Sequence, residues 1–406
     1  MITAITHARL FDGEHVLDPT TVTLEDDRIV DVGGPVPSAA QVVDGRGATI
    51  LPGLIDAHVH TSRPALAQAL RFGVTTELEM QGAMTGEAQA RVGSDPSLAD
   101  VRSSGFALTP PGGHPSELFP AGERPGGPPR GDGPPPVMPF VTTPEEAVSW
   151  IPRLVEAGSD YIKVMVDDGT VEGHPGLPCL DQATLDAAVA EAHRLGKLVV
   201  AHALTVDSTM SAVRAGVDGL THVFMDRPHT PEVIEALAAA DAFVVACMVL
   251  DASMMGRGLG EELAADPRVS SRLDPAWLAA LRSTIDRYPA GNLDDVLASV
   301  AALHAAGVDV LVGTDASVPV PYLGGVAHGA SVHHELQLLV RAGFTPVEAL
   351  RAATSVPARR FGLHDRGRIA AGLRADLLLV DGDPTTSIAD TLALRTVWRG
   401  GVAQTL

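Results

Sequence analysis

LPGLIDAHVH, residues 51–60, runs from a Pro-Gly turn signal through an apolar stretch to two histidines one residue apart. A strand turns alternate side chains to one face, so His58 and His60 project together from the end of a strand candidate at 53–58. Two convergent imidazoles make half a site for zinc or a similar ion. Two surface histidines leaving a strand would have the same spacing, and the remainder of the chain decides between the two.

Seven more strand candidates follow at 74–78, 106–109, 161–166, 198–203, 219–224, 242–249 and 308–314. Helical patterns lie between most of them, at 64–71, 144–157, 182–195, 206–215, 231–239 and 294–306. Strands alternating with helices imply a parallel sheet, and eight such units suggest closure into a (β/α)8 TIM barrel of the α/β class. A helical pair at 332–342 and 346–353 follows the eighth strand. Residues 110–139, crowded with Pro and Gly, fit neither pattern. Following the third strand, they would lie on the C-terminal face of a barrel and read as a flap over a site there.

Both ends of the chain read as β. Short runs at 2–10, 21–24, 28–32, 41–44 and 48–51, and again at 367–369, 376–380 and 396–399, are broken by Gly-rich turns. Paired, residues 1–50 and 364–406 would form a small β-sandwich domain beside a barrel domain at 51–363. Hydrophobic residues make up 45%, enough for a sizeable core. A net charge of −21 repels nucleic acid and anionic membranes, which excludes both as partners. Two cysteines, Cys179 and Cys247, are too few for a disulfide framework. The start has no signal-peptide pattern, and no apolar run reaches about 18 residues, so a cytoplasmic protein is expected.

Four further elements complete a constellation. Lys163, in YIKVMV, interrupts an apolar strand, where an unpaired lysine is costly. It either snorkels outward, or pairs with a carboxylate such as Asp167, or reacts with CO2 as a neutral amine to become an anionic carbamate that bridges two metals. His202 (LVVAHAL) and His222 (GLTHVF) end the fifth and sixth strands, and Asp315 (VLVGTDAS) ends the eighth. A lone strand-end histidine is commonly a core residue, and a lone Asp caps a turn. In the order HxH, Lys, His, His, Asp on strands one, four, five, six and eight, they describe a metal site at the C-terminal ends of barrel strands.

With that order, ATILPGLIDAHVH, GLTHVF, VLVGTDAS and the C-terminal GRIAAGLRADLLLVDGDP, the chain resembles the amidohydrolase superfamily over nearly its whole length, in its prolidase-like and imidazolonepropionase-like branch. The resemblance implies two divalent ions, zinc favoured by the imidazoles, with a carboxylated Lys163 bridging them. It implies that His58, His60 and Asp315 bind the more buried ion and His202 and His222 the more exposed one. A metal-bridging hydroxide would attack the scissile carbonyl, with Asp315 as the proton shuttle. It further implies a small-molecule substrate and a homo-oligomer. The acidic second strand, with Glu77 and Glu79, departs from the family pattern, as do the proline-rich flap and the bulky residues after His222.

The expected reaction is hydrolysis of a C–N amide bond in a dipeptide, an N-acyl amino acid or a cyclic amide. The same site would also suit a lactone, carbamate or phosphotriester. A mononuclear deaminase is disfavoured by Lys163 and by the lack of a Glu soon after His202. His114 stands in a Gly-Gly-His stretch of the flap, and the resemblance makes it a candidate for holding or polarising the substrate carbonyl, against an exposed loop histidine. Arg227 and His229 are candidates for a substrate carboxylate and Tyr322 for the pocket wall, each set against a solvated loop.

Overall fold

The computed structural model describes residues 1–118 and 137–406. Most of the proline-rich stretch read as a flap therefore lies outside the described residues.

Eight parallel strands form the centre: Leu54–Val59, Val74–Glu79, Asp100–Ser103, Ile162–Met165, Val199–His202, Gly219–Thr221, Phe243–Val245 and Val310–Leu311. The first three make one sheet and the last five another, each in chain order. Both edges of one sheet are tied to the other. Ala57 N donates to Val312 O (2.9 Å) and His60 N to Ala316 O (2.8 Å) on one side; Leu108 N donates to Lys163 O (2.9 Å) and Met165 N to Leu108 O (3.0 Å) on the other. The result is an α/β fold of the TIM-barrel type. Nearly every residue of these strands is buried, as expected where helices cover the outside and side chains fill the inside.

The covering helices begin where capping residues permit. Ser62, Thr143, Asp181 and Thr205 each accept a backbone N–H from the first turn of the helices Arg63–Arg71, Pro144–Glu156, Gln182–Arg194 and Val206–Ala215. Their apolar faces join the strands in one large core.

Two local differences from the sequence reading have physical reasons. The third strand is Asp100–Ser103, with Leu108 contributing only a bridge to Val164. Its Asp and Arg hide it from a search for apolar runs, because Asp100 is paired inside the fold, 2.6 Å from Arg366. The seventh strand stops at Val245, and the chain turns through Cys247 (φ 55°) into the helix Met248–Met254. An apolar run alone does not separate a buried strand from a buried helix.

The chain ends pair in a separate sheet of eight strands, with its own core that includes Ile5, Leu10, Ile29, Leu377 and Trp398. Ala48–Pro52 runs antiparallel to Leu377–Asp381, joining the two ends immediately before the first parallel strand. Residues 367–369, expected as strand, form a bend held by Ile369 N to Asp12 O (2.8 Å).

Candidate metal centre

Register explains which side chains face inward. Lys163 lies opposite Val200, and Met165, His202 and Thr221 lie side by side across three strands. Lys163 therefore faces the same way as His202, one layer deeper. It is 1% exposed, and its Nζ donates to Thr221 Oγ1. Strand alternation would turn the residue after Thr221 away. Instead His222 takes a left-handed backbone (φ 71°), which brings its imidazole to the same interior. The eighth strand repeats the device: Thr314 Oγ1 donates inward to Asp56 Oδ2 (2.6 Å), and Asp315 is left-handed (φ 54°). Such conformations are disfavoured for non-glycine residues and collect at functional sites.

These turns bring the residues together. Asp315 Oδ1 is 2.9 Å from His60 Nε2 and 3.3 Å from His58 Nε2, and Asp315 Oδ2 is 3.9 Å from His222 Nε2. The ring of His222 lies 4.9 Å from that of His58 and 4.8 Å from that of His202. Three donor sets of metal-binding size result: His58 with His60 and Asp315, His58 with His222 and Cys247, and His114 with Glu172 and His202. His222 stands between the His60–Asp315 and the Glu172–His202 sides, 2% exposed, and neither of its ring nitrogens has a hydrogen-bond partner among the described residues. An imidazole buried without partners is costly, and coordination of a cation removes the cost. The donor set thus fits the divalent ions that the resemblance implies.

The electrostatics point the same way. Burial pushes the His222 imidazole down to about 4 and holds those of His58 and His202 well below their usual range, so all three are neutral and able to ligate. Burial pulls the Lys163 amine down to about 7. Burial opposes ionisation of Asp315, but the imidazoles around it, with His60 hydrogen-bonded at 2.9 Å, outweigh this and keep the carboxyl well below its ordinary value.

Residues 135–403 match the sequence profile of the amidohydrolase family. The chain belongs to that family. The amidohydrolase is 28% identical over 405 residues to the allantoinase of Solibacter usitatus, covering 89% of this chain and 81% of the relative. It is 26% identical over 402 residues to the ochratoxinase of Aspergillus niger, covering 88% of this chain and 75% of the relative. A crystal structure of a Xaa-Pro dipeptidase with bound methionine superposes with a TM-score of 0.75 at 21% identity, over 100% of both chains, and shows a shared fold. This amidohydrolase is a hydrolase acting on carbon–nitrogen bonds. No helix among the described residues is long and apolar enough to cross a membrane.

Around the centre of the amidohydrolase lie Glu172, a carboxylate that strand-end reasoning missed, and Asp167, expected as a partner of Lys163 and found instead beside His202. Glu172 Oε1 is 3.1 Å and Asp167 Oδ2 3.2 Å from His202 Nε2. His114 is stacked on His202 at 4.3 Å, and its Nδ1 is 2.6 Å from Glu117 Oε1. Cys247 Sγ lies 3.4 Å from His58 Nδ1, at the centre's edge. Arg227 pairs with Asp207 (2.6 Å), His229 Nδ1 meets Ser299 Oγ (3.3 Å), and Tyr322 is 55% exposed. None of these three hydrogen-bonds to the cluster among the described residues.

Glu77 and Glu79 have structural partners. Glu79 accepts from Ser103 Oγ (2.6 Å) and Met84 N (2.9 Å). Glu77 accepts from Thr61 Oγ1 and sits 2.7 Å from His328 Nδ1, while His328 Nε2 meets Ser317 O (3.0 Å). This fully buried pair ties the segments just after His60 and Asp315 to the second strand. His328→Leu strands the Glu77 carboxylate, and a loss of about 3–5 kcal/mol is expected in urea unfolding. An unchanged midpoint would show that the pair holds nothing together.

Proposed function

We propose that this amidohydrolase binds two divalent ions, zinc foremost, and hydrolyses a C–N amide bond of a small molecule such as a dipeptide, an N-acyl amino acid or a cyclic amide. The observation that carries this reading is the partnerless, buried His222 set among His58, His202 and Asp315. His58, His60 and Asp315 would hold one ion, His202 and His222 the other, with Lys163 as a carbamate between them. When bound, such ions polarise a carbonyl and make water acidic near neutral pH. Asp315, ionised and in reach of His58 and His60, takes the proton from the attacking water and returns it to the leaving nitrogen. The neutral imidazoles keep their lone pairs for ligation. His114 stacks against His202 and is the candidate for holding the substrate carbonyl; Arg227, His229 and Tyr322 would need loop movement to reach it.

The same reading takes residues 51–363 as a closed barrel and residues 1–50 with 364–406 as a β-sandwich, in a cytoplasmic homo-oligomer. The reaction is tested by assaying the metal-loaded protein on allantoin, N-acyl amino acids, Xaa-Pro dipeptides, a lactone and a phosphotriester. Turnover of a C–N substrate, abolished by a chelator and restored by zinc, is expected. Turnover confined to the lactone or the phosphotriester would overturn the assignment.

A further inference from the structure

The loop after the fourth strand carries Glu172 back over the fifth strand end. Val166 N donates to His202 O (3.2 Å) and Asp167 Oδ2 accepts from Leu204 N (2.6 Å), so the start of this loop is fastened beside His202. Glu172 Oε1 then lies 3.1 Å from His202 Nε2. Two ligands of one zinc ion, each at about 2.0–2.1 Å, stand about 3.3 Å apart at a tetrahedral angle. The separation is therefore that of neighbouring donors on one cation. The second oxygen, Glu172 Oε2, is buried and has no hydrogen-bond partner among the described residues. Glu172 is 4% exposed. A buried, half-satisfied carboxylate calls for positive charge.

The occupant must also be small. His114, Glu172 and His202 offer donor atoms that all lie within 4.8 Å of one another, and all three residues are buried. A single ion fits between such atoms. His114 cannot balance the charge alone: its Nδ1 is 2.6 Å from Glu117 Oε1 and only 3.7 Å from Glu172 Oε1, so its proton is directed to Glu117.

We propose that Glu172 is a direct ligand of the cation on the His202 side, an anionic donor beyond the six residues that the family resemblance supplies. The inference rests on the proposed two-ion reading and changes its outcome in one way. A centre with an added carboxylate accepts harder ions such as Mn2+ more readily than imidazoles alone would allow.

The ordinary alternative is that Glu172 merely accepts a hydrogen bond from His202 Nε2. The two predict effects of different size. As an outer-shell partner, Glu172 could be replaced by Gln at a cost of no more than roughly 10–100-fold in cation affinity. As a ligand, its loss weakens the His202-side ion by more than the roughly 10–100-fold that an outer-shell partner costs.

Chelator-stripped protein titrated with Co2+, followed by visible absorption and by metal analysis, separates these outcomes. Wild-type protein should take up two ions in distinguishable phases. Glu172→Gln should keep the phase that His60→Asn removes and lose affinity in the other by about 100-fold or more. A loss of less than about 100-fold, or equal or tighter binding, by Glu172→Gln overturns the proposal and leaves the two-ion reading intact. Wild-type protein that takes up no ion sinks both. If Glu172→Gln loses both phases through misfolding, the zinc-loaded wild-type crystal structure decides. A Glu172 oxygen within about 2.2 Å of the ion supports the assignment, and one standing clearly farther off, outside the coordination shell, refutes it.

Discussion

Asp315→Asn should yield a folded, metal-binding protein whose kcat falls by about 10²–10⁴, the range that proton transfer by a positioned side chain contributes. The substitution is isosteric, so the left-handed turn at φ 54° should persist. That turn is fixed by the backbone and by its neighbours. Asp315 N donates to His58 O (2.8 Å), and Thr314 is held through both its N–H and its hydroxyl by Asp56. What changes is the charge. The native carboxylate stays ionised because imidazoles flank it, His60 hydrogen-bonded at 2.9 Å, and an amide in its place has no site for a proton. An amide oxygen can still ligate, so metal analysis should show less change than turnover. Near-normal kcat in a fully loaded Asp315→Asn protein would remove Asp315 from the proton's path and leave it a structural ligand.

How much of this was legible beforehand follows from where each residue sits. His58, His202, His222 and Asp315 stand out in the sequence because each ends an apolar run, and a polar group there is conspicuous. Lys163 is conspicuous for the same reason, and its register beside Val200 puts it on the inner face. The left-handed turns at His222 and Asp315 left no such mark, although strict alternation from the adjacent threonines would have sent both side chains outward. Glu172, on a loop, and Glu117, in the single 3-10 turn Ser116–Leu118, were invisible because a carboxylate there is ordinary until the fold buries it. Glu77 showed the reverse. It was visible as an acid in a buried strand but could not be explained, since its partner His328 is 251 residues away. The short helices Leu259–Ala265, Pro267–Ser270 and Pro275–Leu281 escaped because they are too short to show a period, and Pro267 and Pro275 start the last two where a loop would read equally well.

The second large effect is expected at the lysine. Carbamate formation requires a neutral amine: the Nζ lone pair bonds to the carbon of CO2, electrons of one C=O bond move to oxygen, and the nitrogen releases a proton to solvent. Burial, which brings the Lys163 amine down to about 7, supplies the neutral form at physiological pH, where an exposed lysine would remain protonated. Thr221, whose hydroxyl receives Nζ, holds the chain straight toward the layer of His202 and His222. Lys163→Ala removes the amine and leaves a buried space about the length of the lost side chain beneath those histidines. Metal retention should then fall by more than the roughly 10–100-fold typical of an outer-shell change, and turnover should fall with it. A short carboxylic acid carries the same two oxygens as a carbamate and fits that space, so formate, acetate or propionate should restore part of both in a saturable, size-dependent way. The wild-type protein, whose bridge is already in place, should not respond. Two tightly held ions in Lys163→Ala without added acid would mean that Lys163 contributes packing alone. Isotopically labelled CO2, followed by NMR in the wild type, distinguishes that case directly, because a lysine that only packs acquires no carbonyl carbon.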